Sequence, residues 1–432
     1  MKSTTNMHNR FKKQVYIATL AAAALLLNGC AAASAHGVIQ AADSTVTEAA
    51  SSSLLTAETT SIPAAVSTPN SDTSPDPTSV CAPIPESTIS PEPESVSILM
   101  VGDILLHTPV ENAALQNDGT YSFEAIFEPL RSEIRSADLA IVNQEVIIGG
   151  EELGISGYPA FNAPYSVGDA LVNAGFDIIC HGTNHALDKG KKGLLNCLNF
   201  WKETYPETAV LGIHDSQESQ DQIYIYEQDG LRIAVLNFTY GTNGIALPKD
   251  MPYAVDLLKE SQVISAIQKA EELADFTIIC PHWGTEYQLK QSAEQERWAK
   301  LFAEHGADLV LGTHPHVIQP MEWITNEENG HSMLVYYSLG NFVNWTSSSG
   351  TGIANRMVGG MAEVTLTAEG ENLVISDYGI EPVVCHLEQG TNGITVYKLE
   401  DYTDVLAEKN QIRLQDPAFS LEYCQQLCEN VW

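Results

Sequence analysis

Positive charge is what this chain has least of: 21 Lys and Arg stand against 55 Asp and Glu in 432 residues, a formal charge of −34. That shortage excludes nucleic acid as a ligand, because binding a phosphate backbone needs clustered basic side chains. Lys189, Lys191 and Lys192 form one small basic group, read as a solvated helix start rather than a polymer site. The acidity itself reads as a solvated surface, though it would also repel a polyanion or attract metal ions. Cysteines are few as well. Of the eight, Cys30 closes an N-terminal leader, and the odd number left over excludes a complete disulfide framework. Cys180 and Cys280 each end an apolar run and read as buried thiols, while Cys424 and Cys428 are four apart in a predicted helix. No internal repeat is present.

The leader begins with Lys2, Arg10, Lys12 and Lys13 and continues into an apolar run from Val15 to Leu27. Such a run is too short to span a membrane comfortably and reads as a secretory signal. It ends in Leu27-Asn28-Gly29-Cys30-Ala31, which resembles the bacterial lipoprotein processing site and implies lipidation of Cys30; a plain signal cut near Ala33 to Ala35 is the alternative. Residues 31–95 then hold eight prolines and not one Lys or Arg, in a background of Ser, Thr and Ala. This composition cannot bury enough apolar surface to offset its conformational entropy, which predicts a disordered tether. As a flexible coil it would reach roughly 45 Å.

From Val96 onward the pattern is globular, and a domain over 96–385 with an appendage over 386–432 is expected. Strand-like runs at Ser97–Val101, Leu139–Val142, Asp177–Cys180, Ala209–Leu211, Phe276–Cys280 and Leu309–Leu311 alternate with helix-like stretches at Gly190–Lys202, Val255–Ala274 and Ala293–His305. The alternation predicts an α/β fold, a mixed sheet covered by helices. Leu231–Phe238, Met333–Ser338 and Gly359–Leu366 are β-rich without intervening helices and predict an antiparallel part of the sheet.

Five of the apolar runs end in chemistry-bearing residues. The first gives Gly102-Asp103 followed by His107, and the second Asn143-Gln144-Glu145. The third gives His181-Gly182-Thr183-Asn184-His185 with Asp188, and the fourth His282-Trp283-Gly284-Thr285-Glu286-Tyr287. The fifth is Leu309-Val310-Leu311-Gly312-Thr313-His314-Pro315-His316. Carboxyl ends of strands are where α/β folds place ligand-binding groups, and imidazole is the commonest metal ligand. Taken singly, Gly-Asp is a common turn and His-Pro-His a loop with two histidines. Taken together, carboxylate, amide and imidazole donors suit Mn, Fe or Zn better than Ca or Mg. His185, beside Asn184, is placed to act as a general acid.

These elements, with Tyr337-Ser338-Leu339-Gly340-Asn341-Phe342 after them, resemble in this order the CapA family of poly-γ-glutamate capsule synthesis proteins. The resemblance runs from about Ile98 to Phe342 and implies the fold of the calcineurin-like metallophosphoesterases. Carried over by position, it implies Asp103, Glu145, Asn184, His282, His314 and His316 as metal ligands and His185 as the catalytic histidine. His107, His181, Asp188, Glu286 and Asn341 are possible accessory residues: Asp188 to orient the turn behind His185, Asn341 to hold a ligand histidine, and His181, Trp283, Glu286 and Tyr287 to line the cleft. His305 and His331 read as surface residues. Two departures stand out. Leu105 occupies the histidine position of the superfamily's Asp-x-His, and Glu145 stands where an Asp is usual, so one metal ion rather than two is an alternative, as is His107 as a substitute ligand.

Three functions are open on the sequence. One is a lipid-anchored protein on the outer face of the cell membrane, acting with membrane partners in the synthesis, export or anchoring of an anionic capsule polymer. The second is an extracellular metal-dependent phosphoesterase. The third is a non-catalytic module whose metal site only stabilises the fold.

Overall fold

The computed structural model describes residues 94–370, 372–388 and 393–432. The expected signal peptide, the lipidation site at Cys30 and the tether lie outside the described residues. Fourteen strands occur among those described: β1 Ser95–Leu105, β2 Leu139–Asn143, β3 Ile178–Cys180, β4 Ala209–Leu211, β5 Tyr224–Gln228, β6 Leu231–Thr239 and β7 Phe276–His282, then β8 Leu309–Leu311, β9 Met321–Thr325, β10 Ser332–Tyr336, β11 Asn341–Asn344, β12 Val358–Glu369, β13 Asn372–Leu387 and β14 Ile394–Lys398. They form two sheets. The first runs β14-β13-β12-β1-β2-β3-β4, with β11 joined to β1, and the second runs β5-β6-β7-β8-β10-β9.

Parallel pairing occupies one side of the first sheet and the middle of the second. In the first, β1, β2, β3 and β4 are parallel, while β12, β13 and β14 are antiparallel additions. In the second, β6, β7, β8 and β10 are parallel, flanked by antiparallel β5 and β9. Strands that are covered on both faces read as unbroken aliphatic runs. Leu139–Asn143 and Phe276–His282 are accordingly buried at every position.

The sheets stack face to face. Met100, Ile141, Ile178 and Cys180 of the first meet Val235, Ile278, Cys280, Leu309 and Tyr336 of the second in one apolar layer. Outside it, helices Ser166–Ala174 and Gly190–Thr204 cover the first sheet, while Glu260–Leu273 and Ala293–Glu304 cover the second. Local chemistry sets their limits. Ser292 and Gln295 close a capping box at the start of Ala293–Glu304, and Gly175, at φ 112°, ends Ser166–Ala174 in the left-handed region that glycine tolerates. None of the described helices is long and apolar enough to cross a membrane.

The mixed α/β class agrees with the sequence reading, but the boundary expected after residue 385 falls inside β13. That strand carries straight through to Leu387 and pairs with β14, and Cys385, Phe419 and Cys424 join the same apolar cluster as β1 and β2. The C-terminal stretch is therefore built into the first sheet and its helical cover. Cys180, Cys197, Cys280, Cys385, Cys424 and Cys428 are free, buried thiols.

Glu111, in the short helix after β1, is 3% exposed and leaves Oε1 without a partner. Burial, opposed by Lys189, pushes its carboxyl up to about 7. A raised folded-state pKa adds stability that is complete below the unfolded value and is lost as pH rises through about 7. Glu111→Gln should therefore gain stability relative to the parent between pH 4 and pH 8, by about 2–3 kcal/mol from the size of the shift. Urea denaturation at the two pH values checks this.

Candidate metal centre

The two sheets deliver their strand ends to one point. Asp103 lies near the end of β1, Glu145 follows β2, the Asn184-His185 turn follows β3, His282 closes β7, and His314 and His316 follow β8. Close backbone contact makes this possible. The Asp103 N–H donates to the Gly340 carbonyl at 3.0 Å, and a Cβ at Gly102 would collide with that same oxygen. Gly102 is thus required by the approach of β11 to β1. On the other side, Asn237 of β6 accepts from the Gly182 N–H at 2.6 Å and donates to the Cys280 carbonyl at 2.7 Å, tying three strand ends together.

Every side chain the sequence nominated as a ligand is buried here: Asp103, Glu145, Asn184, His282, His314 and His316. His282 Nε2 lies 2.8 Å from Asn184 Oδ1, 3.2 Å from His314 Nδ1 and 3.6 Å from Glu145 Oε1. His316 Nε2 is 3.6 Å from the same Glu145 oxygen, while its Nδ1 is 3.1 Å from both Asp103 Oδ2 and Asn341 Oδ1. Glu145, His314 and His316 offer ligand atoms all within 4.8 Å of one another.

Two features favour a cation site over a polar network. Both Glu145 carboxylate oxygens are buried without a hydrogen-bond partner, an arrangement that is costly unless something positive completes it. His282 Nε2 also faces an amide oxygen, a carboxylate oxygen and another imidazole nitrogen, more groups than one N–H can serve. The residues therefore fit a divalent ion. Charge favours it too. Burial opposes ionisation of Glu145, yet His316 and His282 hold its carboxyl well below the usual range. Burial and the neighbouring imidazoles of His282 and His316 lower His314, which favours the neutral ring that a metal would need. Burial also lowers His316, but Glu145 and Asp103 outweigh it and raise the ring to about 9, so an ion bound there would have to displace the His316 proton.

Backbone strain aims the two histidines of the His-Pro-His stretch. His314 has φ 97° and His316 φ 58°, both in the left-handed region that non-glycine residues avoid at a cost on the order of 1–3 kcal/mol each. Strand alternation alone would not bring both rings round to Glu145.

Asn143 stands in the second strand-end motif but was given no role of its own. Its amide donates to Asp103 Oδ1 at 2.8 Å and lies 3.3 Å from His282 Nδ1, which also meets the Thr313 hydroxyl at 3.1 Å. Such contacts fix imidazole orientation. Asn143 ends a strand exactly as the ligands do, and that position was the available signal. Asn243 and Tyr240 come from the loop after β6, where no motif marked them: Asn243 meets Asn184 Nδ2 at 3.2 Å, and the Tyr240 ring covers His314 at 4.6 Å.

His185 sits at the mouth. Its Nδ1 is 2.6 Å from Asp188 Oδ2, which also accepts from the Phe161 N–H at 2.8 Å, and its Nε2 lies 3.9 Å from Glu145. Phe161 packs edge-on against the ring at 4.6 Å. His107 packs on the other side of Phe161, at 5.2 Å, in the wall of the adjoining cavity; burial, then His316, lowers it to about 4. It stands beside the ligand cluster, with His316, Glu145 and His185 as charged neighbours. Glu286 and Tyr287 line that cavity, and Asn341 holds His316.

Two expected cleft residues lie elsewhere. His181 is turned into the helical layer, where it accepts from the Trp201 indole at 3.2 Å, because Cys180 before it faces the sandwich interior and strand side chains alternate. Trp283 likewise points away from His282 into the opposite helical layer, donating to the Tyr337 carbonyl at 3.0 Å. His331 is half-buried and contacts the Ala307 carbonyl at 2.7 Å. Lys191 pairs with Asp250, as a solvated helix start would.

The chain is thus a mixed α/β sandwich that gathers buried carboxylate, amide and imidazole groups at its strand ends. The family described as bacterial capsule synthesis protein PGA_cap matches residues 97–346, and the chain belongs to it. It is similar to the capsule biosynthesis protein CapA of Bacillus anthracis, 27% identical over 58% of this chain and 61% of that protein. It is also similar to the PGA biosynthesis protein CapA of Bacillus subtilis, 26% identical over 58% of this chain and 64% of that one. The chain thus spans less than two thirds of the length of these relatives. Among solved structures, a calcineurin-like phosphoesterase of Bacillus subtilis aligns with 77% of this chain and 99% of its own, at 14% identity and a TM-score of 0.37.

An ion that binds only the folded state should raise its stability by about 2.7 kcal/mol at a hundredfold excess over Kd. Mn added to the metal-stripped chain should raise the melting temperature by several degrees, and Glu145→Gln or His314→Ala should abolish the rise. Differential scanning calorimetry reads both.

Proposed function

We propose that this chain is a metal-dependent hydrolytic or transfer protein of capsule-polymer synthesis, working on the outer face of the cell membrane from a lipid anchor at Cys30. Membership of the capsule-synthesis family and the printed roles of its CapA relatives support the process. The observation that carries the chemistry is the Glu145 carboxylate, buried with both oxygens unpartnered and ringed by His282, His314 and His316. Asp103, Glu145, Asn184, His282, His314 and His316 would hold one or two ions of the Mn, Fe or Zn class. A bound ion supplies Lewis acidity toward a phosphoryl or acyl oxygen.

The chain's own residues supply the rest. Asn143 and Thr313 lock His282 in orientation, and Asn341 does the same for His316. Asp188 holds the Nδ1 side of His185, which leaves Nε2 directed toward Glu145 and placed to give a proton to a leaving group. Phe161 and Tyr240 shield the rings from water. The substrate is an anionic capsule polymer or a phosphoester intermediate of its assembly, received from membrane-bound synthesis and export partners.

The test pairs metal content with turnover. Mass spectrometry of the purified chain should find one or two equivalents of Mn, Fe or Zn, lost in His314→Ala. His185→Ala should keep the metal and lose about 10²–10⁴-fold in phosphoester turnover. A parent chain that retains no metal after Mn is added back would sink the hydrolytic reading.

A further inference from the structure

Beside the ligand cluster lies a cavity of about 480 Å³, lined by His185, His316, Phe161, Tyr287 and Arg356. Arg356 is the single fixed positive charge on its lining, in a chain whose acidic groups outnumber its basic ones 55 to 21. Every other described arginine gives its guanidinium to an oxygen. Arg131, Arg232 and Arg297 are ion-paired, while Arg135 and Arg413 donate to backbone carbonyls. Arg356 does neither, and its Nε is buried without a partner.

The side chain is nonetheless held in place. Its guanidinium carbon sits 3.5 Å from the centre of the Tyr287 ring, within cation–π range, and that ring is 6.0 Å from His316. One aromatic ring therefore separates the cation from the metal ligands. The backbone is fixed to the same point, since Asn341 Nδ2 donates at 3.0 Å to both the His316 and Arg356 carbonyls. From behind, Asp416 accepts from the Gly352 and Ala354 N–H groups, and Tyr423 donates to Asn355 at 2.5 Å. The one acid on the cavity lining, Glu286, is exposed at the rim and makes no ion pair with Arg356. A planar guanidinium with free donors, stacked on an aromatic face and pinned from two sides, is built to grip a pair of anionic oxygens.

We propose that this cavity is an anion subsite, in which Arg356 grips a carboxylate or phosphate group that the substrate carries away from its reacting bond. The role rests on the ligand cluster being the reaction centre, because it is the cluster that makes the neighbouring cavity a substrate cavity. Arg356 then sets specificity: it selects substrates with a second anionic group spaced one aromatic ring from the ion, and it lets a strongly acidic protein hold an acidic substrate. The C-terminal segment, through Asp416 and Tyr423, is what keeps that group in register.

The test is calorimetric titration of the Mn-loaded full chain with two probes, γ-glutamylglutamate for the carboxylate case and glucose 6-phosphate for the phosphate case. The parent should bind at least one of them. Arg356→Met should weaken that probe tenfold or more, and Arg356→Lys should recover part of the loss, since charge returns without the planar fork. Metal content should be the same in all three. Which probe responds identifies the anion. Equal affinity in parent and Arg356→Met at matched metal content would overturn the subsite, as would failure of the parent to bind either probe. A parent that holds no metal but binds a probe in an Arg356-dependent way would uphold the subsite and remove the reaction centre, so the two readings fail separately.

Discussion

Two carboxylates, Asp103 and Glu145, are fully buried within one small region where the strand ends of both sheets meet. Like charges taken out of water repel each other strongly and are tolerated only when surrounded by compensating groups. The structure around them answers that demand. Asp103 has an amide from Asn143, the His314 N–H and the His316 ring. Glu145 has imidazoles alone, with no hydrogen-bond donor on either oxygen. The asymmetry separates the two: Asp103 is anchored by hydrogen bonds from the protein, and Glu145 has both oxygens free of them, as a cation ligand would.

Much of this was legible in the sequence, for a physical reason. Strands covered on both faces must be aliphatic throughout, so Leu139–Val142 and Phe276–Cys280 stood out, and the polar residues just beyond them could be read as a site. What period-two patterning cannot show is the direction of a side chain once the strand has ended. His181 and Trp283 were read as cleft residues because they adjoin the motifs, yet each takes the alternate face and serves a helical layer. His314 and His316 share a face only because both backbones enter the left-handed region, which no residue type there announces. β13 was missed as a strand for a related reason. Its middle, around Asp377 and Tyr378, is exposed on an outlying antiparallel hairpin and carries no aliphatic signature.

Contacts made over long sequence separations were the least readable. Asn237 draws the ends of β3 and β7 together through two hydrogen bonds, and Asn243 reaches Asn184 from a loop without a motif. Arg356 owes its position to Asn341, Asp416 and Tyr423, residues that only the folded chain brings near it. Such asparagines are small and fully satisfied, and their importance lies in what they join rather than in any chemistry of their own.

The order in which these groups leave the ribosome adds a consequence of the Asp103–His316 contact. The two residues are 213 positions apart in the chain. A nascent chain therefore exposes its carboxylates well before the imidazoles that balance them exist, and a half-made protein has acids but no imidazole cage to discriminate between ions. The cluster is complete only once the segment after β8 has brought His314 and His316 into place. Any ion the cluster takes up would therefore meet its full set of donors only late in folding.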